Sequence, residues 1–145
     1  DNSEVTLELI LDGLHVHPTV AAMLFREAPD RVALVTDAMA AAGASDGNYR
    51  LGDLNVTVHD GLAVLSGTNT IAGSTLTQDA ALRNAVTRAG VDPVHAVAAL
   101  TRTPARVLGE SHRFGRLHTG YVADAVLLDH DWRVTTVVAD GAVLS

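Results

Sequence analysis

Val32, Ala33, Leu34 and Val35 form an unbroken apolar run that closes on Thr36-Asp37-Ala38. Such a run reads as a strand buried on both faces, the habit of parallel sheets. In parallel α/β folds the chemistry sits at the carboxyl ends of strands, so an acid where the run stops is a candidate reactive group. A second run, Leu7 to Leu11, ends similarly, in Asp12-Gly13-Leu14-His15-Val16-His17. The strand as a whole is expected over Val5 to Leu11. Between the two runs Pro18 suits the first position of a helix, where its missing N–H costs nothing. Val20, Ala21, Leu24 and Phe25 then recur at helical spacing within Thr19 to Glu27, and Pro29-Asp30 ends the pattern. Strand, loop, helix, strand is a βαβ unit.

After Asp37 the texture changes. Ala40 to Gly47 is small and flexible, and Asn55 to His59 alternates. Asp60-Gly61 then precedes Leu62 to Leu65, a strong hairpin signal. A β-hairpin insertion is therefore expected at about 49–66, placed to cover a site at Asp37. Ile71-Ala72-Gly73-Ser74 is expected to open a helix running to about Ala89 and ended by Gly90. Asp92-Pro93 has the form of an N-cap followed by proline, starting a helix to Leu100. Thr103-Pro104 repeats the device, and Gly109 closes it. From Gly115 the pattern returns to β, with strands at Ala125 to Leu128 and Val134 to Val138 and a turn at Asp140-Gly141.

A chain of 145 residues, 48% hydrophobic and 19% charged, suits one ordinary domain with a core of Val, Leu and Ala, since aromatics are only 3%. The net charge of −7 and scattered arginines argue against nucleic acid as a partner, while leaving room for a small anionic substrate in a local pocket. With no cysteine there is no disulfide framework or thiol nucleophile, which fits the cytoplasm. No apolar run has membrane-spanning length, so no membrane partner is expected. The opening Asp1-Asn2-Ser3-Glu4 is neither a signal peptide nor a normal start, and suggests a piece of a longer chain.

Each candidate has a plain alternative. Asp37 is a general acid/base or a metal-associated carboxylate, or else a cap at the end of a strand. Burial beneath a loop would raise its pKa above about 3.9, and a nearby metal would lower it. His15 and His17, two apart in an extended segment, could share a metal with Asp12 or Asp37; alternatively one of them faces solvent or caps the next helix. Gly73-Ser74-Thr75 could cradle an anion at a helix start, or simply cap it. His59, His95, His112, His118 and His130 read as surface residues, and Arg83-Asn84 as a solvated helix face.

Taken in order, several stretches resemble one family. They are Asp12-Gly13-Leu14-His15-Val16; Leu34-Val35-Thr36-Asp37-Ala38 with Ala42-Gly43; Ile71-Ala72-Gly73-Ser74-Thr75-Leu76-Thr77; Arg83-Asn84; Thr103-Pro104-Ala105-Arg106; and Gly120-Tyr121-Val122-Ala123-Asp124-Ala125-Val126. Together they resemble the C-terminal part of the N-acetylglucosamine-6-phosphate deacetylases of the amidohydrolase superfamily. The tail around Ala123-Asp124 is shared widely there, whereas the Asp-Gly-Leu-His and Ala-Gly-Ser-Thr-Leu-Thr stretches are more specific.

The resemblance implies an α/β fold, the C-terminal portion of a (β/α)8 barrel with strands of an accompanying β-sandwich. The barrel part would be 1–115, with Val5 to Leu11 and Arg31 to Asp37 as its last two strands, and the sandwich strands 116–145. The implied reaction is metal-dependent hydrolysis of N-acetylglucosamine 6-phosphate to glucosamine 6-phosphate and acetate. Asp37 would be the catalytic acid/base near a divalent metal ion, zinc or iron. Asp12, Gly13, His15, Ile71, Ala72 and Gly73 would bind the amino-sugar phosphate, with Ser74 adjacent, and His17 has no required role. The family's metal ligands, a Glu and two His, its carbonyl-polarising His and its phosphate-binding Arg lie upstream of these residues. This segment would therefore hold half of an active site, inactive alone, in a protein expected to form a homodimer. The rival readings are another amidohydrolase, dihydroorotase-like or deaminase-like, and a non-catalytic domain binding an anion or partner through 71–75.

Overall fold

The computed structural model describes residues 2–144 and has an α/β architecture with three small sheets. β1 (Leu7–Ile10) and β2 (Val32–Val35) pair in parallel, joined by α1 (Pro18–Glu27). Their register runs from Leu7 opposite Val32 to Ile10 opposite Val35. α1 starts where Pro18 allows, with the His17 ring accepting from the Thr19 amide at 3.2 Å. The buried β2 residues Val32, Ala33 and Leu34 explain the unbroken apolar run: helices cover what solvent would otherwise meet. α2 (Gln78–Thr87) and α3 (Pro93–Leu100) complete that cover, and Leu9, Phe25, Leu34, Leu82 and Ala96 belong to one core cluster. Alanines reach zero exposure at 21, 81, 85, 96 and 99, so helices approach closely in place of aromatic filling.

A three-stranded antiparallel sheet follows β2: β3 (Gly47–Leu51), β4 (Leu54–His59) and β5 (Leu62–Leu65). Asp60 and Gly61, at φ 49° and 75°, form the two-residue turn between β4 and β5, as a type I′ hairpin demands. Its own core of Val56, Val58 and Ala63 packs with Met39, Ala41 and Ala72. The last sheet joins β6 (Ala125–Leu128), β7 (Val134–Ala139) and β8 (Ala142–Leu144), again through an Asp-Gly turn at Asp140 and Gly141. It touches the helical core through Leu128 and Trp132, whose carbonyl accepts from Arg83 at 3.3 Å.

Two elements depart from expectation. Ile71 to Ser74 does not open a helix; it is extended and stitched on both sides. The Ala72 amide donates to Ala63 at 3.0 Å, the Ser74 amide to Asp37 at 2.8 Å, and the Met39 amide to the Ser74 carbonyl at 2.9 Å. With those amides bound elsewhere, and Gly73 at φ 68°, the helix can begin only after Thr77. The short helix α4 (Arg102–Val107) starts after Thr101, two residues earlier than Thr103-Pro104 suggests, and Thr103 is buried within it. No helix among the described residues is long and apolar enough to cross a membrane.

Candidate functional site

Asp12 and Asp37 each lie two residues past the last paired positions of the parallel strands, Ile10 and Val35, at the carboxyl edge of the sheet. The two exits are built differently. Asp12 folds its own loop: one carboxylate oxygen accepts from the Leu14 and His15 amides at 2.8 and 2.9 Å, and the other meets His15 Nδ1 at 2.7 Å. Both side chains are sheltered, at 11% exposure for Asp12 and 22% for His15. Burial alone would raise the Asp12 pKa, but the two amides, the imidazole hydrogen bond and its charge outweigh it, holding the carboxyl below its ordinary 3.8. The loop is also braced from α2. Asn84 Nδ2 donates to the Leu11 carbonyl at 2.9 Å, and the Arg88 guanidinium lies where a side chain at Gly13 would have to go.

Asp37 is held by its backbone. It sits at φ 48°, a left-handed conformation uncommon for a residue other than glycine, and its carbonyl accepts from Ser74. Ser74, only 2% exposed, donates its hydroxyl to the Thr36 carbonyl and accepts from the Leu76 amide at 3.1 Å. The Asp37 side chain is exposed, and its carboxylate has no hydrogen-bond partner among the described residues. The β3–β5 insertion therefore does not bury Asp37 as expected. Its turn is anchored elsewhere: Thr75 Oγ1 donates to the Gly61 carbonyl at 2.7 Å, and Asp46 accepts from the Asp60 and Gly61 amides. The anchored turn shapes a cleft of about 250 Å³ whose walls include Asp12, Leu14, Asp60, Thr75, Thr77 and Asn84.

Several sequence readings are corrected here. His15 and His17 do not form a metal dyad, because the His15 ring is turned to Asp12 and the His17 ring caps α1. Among the described residues no group of three His, Cys, Asp or Glu could hold a metal ion. Gly73-Ser74-Thr75 is not an anion cradle at a helix start, since the helix begins later and both hydroxyls are spent on carbonyls. Ala72 donates its amide to the Ala63 carbonyl at 3.0 Å, so that N–H is engaged within the protein. His95 is not a plain surface residue: its Nδ1 is buried without a hydrogen-bond partner among the described residues. Asn84, read as solvated, braces the β1 exit instead. Thr77, Ala80 and Asn84 share the spacing of one helical face, and that periodicity was the available signal.

Residues 3–144 match the model of the amidohydrolase family. The chain belongs to the amidohydrolase family. Within it, the chain is 42% identical over 139 residues to a candidate N-acetylgalactosamine-6-phosphate deacetylase of Escherichia coli K12, covering 96% of this chain and 83% of that one. It is 36% identical to the N-acetylglucosamine-6-phosphate deacetylase of Danio rerio, covering 83% of this chain and 30% of that one. Among solved structures, it superposes with a TM-score of 0.91 and 44% identity on an N-acetyl-D-glucosamine-6-phosphate deacetylase of Mycobacterium smegmatis, an Asp-to-Ala variant in complex with N-acetyl-D-glucosamine-6-phosphate. That match covers 98% of this chain and 38% of that one. The motif-based resemblance to this group of amidohydrolases stands, for a chain spanning well under half the length of the zebrafish and mycobacterial enzymes.

Proposed function

We propose that this chain is the C-terminal part of a metal-dependent deacetylase that hydrolyses the acetamide of N-acetylglucosamine 6-phosphate, yielding glucosamine 6-phosphate and acetate. The observation that carries the reading is Asp37: an exposed carboxylate without a hydrogen-bond partner among the described residues, two residues past the carboxyl end of a parallel strand, as Asp12 is on the neighbouring strand. In this reading β1 and β2 are the last two strands of an eight-stranded barrel, and β6–β8 belong to a β-sandwich beside it. Asp37 takes the proton from the attacking water and returns it to the departing amine, so that neither hydroxide nor an amide anion forms free in solution. His15, Gly13 and the strand at Ile71 to Gly73 contact the sugar phosphate.

The described residues do not fit a metal site of their own. A divalent cation, zinc or iron, would take its ligands from outside this segment, and its contribution is to activate water and polarise the acetamide. The complete enzyme works in the cytoplasm as a homodimer, on a small sugar phosphate rather than on nucleic acid or a membrane.

The test is Asp37→Asn in the full-length protein that carries this segment, followed by acetate release from N-acetylglucosamine 6-phosphate, with the galactosamine isomer alongside. Turnover should fall at least about 10²-fold, the lower end for losing a general acid/base, with the melting temperature unchanged. Near-normal turnover in the variant, or no acetate released by the unaltered enzyme, would overturn the reading.

A further inference from the structure

The Asp12 carboxylate makes three hydrogen bonds within its own loop, two to amides and one to the His15 ring. That leaves it badly placed to serve as a substrate contact, the role the motif resemblance implies. We infer that Asp12 is a positioning residue that fixes which nitrogen of His15 carries the proton. A carboxylate oxygen 2.7 Å from Nδ1 can only accept, so the neutral ring keeps its proton on Nδ1 and presents Nε2 as an acceptor. The group suited to a bare Nε2 is an O–H donor, here a sugar hydroxyl. That last step rests on the substrate reading above; the proton placement does not.

The geometry around the pair supports a fixed rather than a mobile ring. The Leu14 and His15 amides hold the carboxylate from the backbone side, and Asn84 and Arg88 brace the segment before and after it. Asparagine at position 12 supplies a sharp test. Its amide oxygen still accepts from the Leu14 and His15 amides, so the turn survives. Its amide nitrogen faces Nδ1 and can only donate, which drives the ring proton to Nε2.

The experiment compares the full-length enzyme and its Asp12→Asn variant by nitrogen NMR of labelled histidine, with the His15 signals assigned from a His15→Gln variant, and by steady-state kinetics. The unaltered enzyme should show Nδ1 protonated, and the variant should show the reverse. kcat/KM should drop about 10–100-fold, the usual cost of losing a partner that orients a histidine, and mostly through KM. A His15 ring protonated at Nε2 in the unaltered enzyme overturns the inference even if the variant fails to fold. The same is true of an unchanged tautomer in a folded variant. If the enzyme releases no acetate at all, the NMR result still decides the role of Asp12 separately from the substrate reading.

Discussion

Gly73 lets the strand at 71–74 press against the peptide that carries Asp37. A Cβ at Gly73 would lie 2.9 Å from the Asp37 carbonyl oxygen and 3.5 Å from Met39 Cβ, on a backbone at φ 68°. Gly73→Ala thus carries two costs. The left-handed backbone costs roughly 1–2 kcal/mol for a residue with a side chain. Relieving the contact means moving the Asp37 peptide and stretching its 2.8 Å bond from Ser74, about 0.5–1.5 kcal/mol more. Gly43→Ala is the matched control: its φ is 76°, yet nothing lies within 4 Å of the added atom, so only the first cost applies. The stability gap between the two variants should be about 1 kcal/mol, read as separated urea midpoints of the full-length enzyme. The kinetic gap should be larger. Misplacing a reacting group by ~1 Å can cost about 10²-fold, and a shift of a few tenths of that should lower acetate release by roughly 10-fold in Gly73→Ala, with Gly43→Ala close to the unaltered rate. Equal losses in both variants would refute the idea that Gly73 is needed for close approach to Asp37.

Ser74→Ala should cost about 1–3 kcal/mol, because it leaves the Leu76 amide and the Thr36 carbonyl without the buried hydroxyl they share; an unchanged urea midpoint would contradict this. The pH dependence of stability should carry an Asp12 signature. Its folded-state pKa is depressed below 3.8, so its stabilising contribution is complete above that value and disappears as pH falls through the folded pKa. Denaturation of the unaltered enzyme and of Asp12→Asn should therefore differ most at neutral pH and converge in strong acid, and curves that stay parallel down to pH 2 would rule the contribution out.

What the sequence disclosed and what it hid divide by the range of the interactions. The α1 start at His17-Pro18, the α3 cap at Asp92-Pro93 and the Asp60-Gly61 turn are decided by neighbours a few residues apart, so residue type alone reveals them. The buried β2 run was equally plain, because both of its faces are covered. Ile71 to Ser74 carries the local pattern of a helix start, but the amides and carbonyls that bind it belong to Ala63, Asp37 and Met39, which local patterning cannot supply. The bracing role of Asn84 is hidden for the same reason: its partner, Leu11, is 73 positions away. At the candidate site, Asp37 and the Asp12–His15 loop were legible as residues at strand ends, while the positive φ of Asp37 and the turn of the His15 ring toward Asp12 emerge only from the folded backbone.

The two acids at the sheet edge use their hydrogen-bonding groups in opposite ways, and on the proposed reading this bears on which of them moves a proton. Asp12 commits its side chain: three donors converge on it, its charged form is favoured, and taking up a proton would cost it those bonds. Asp37 commits its main chain instead. Its carbonyl is tied to Ser74 and the preceding Thr36 carbonyl to the Ser74 hydroxyl, while the carboxylate itself stays without a partner among the described residues. A group that must accept and then release a proton in one turnover needs a fixed position and free lone pairs, and the left-handed backbone at 37 supplies the first without using up the second. Exchanging the two roles would require Asp12 to abandon its turn and Asp37 to break from the strand at 71–74. Under the proposed deacetylase reading, this contrast in hydrogen bonding favours Asp37 over Asp12 as the group that moves the proton.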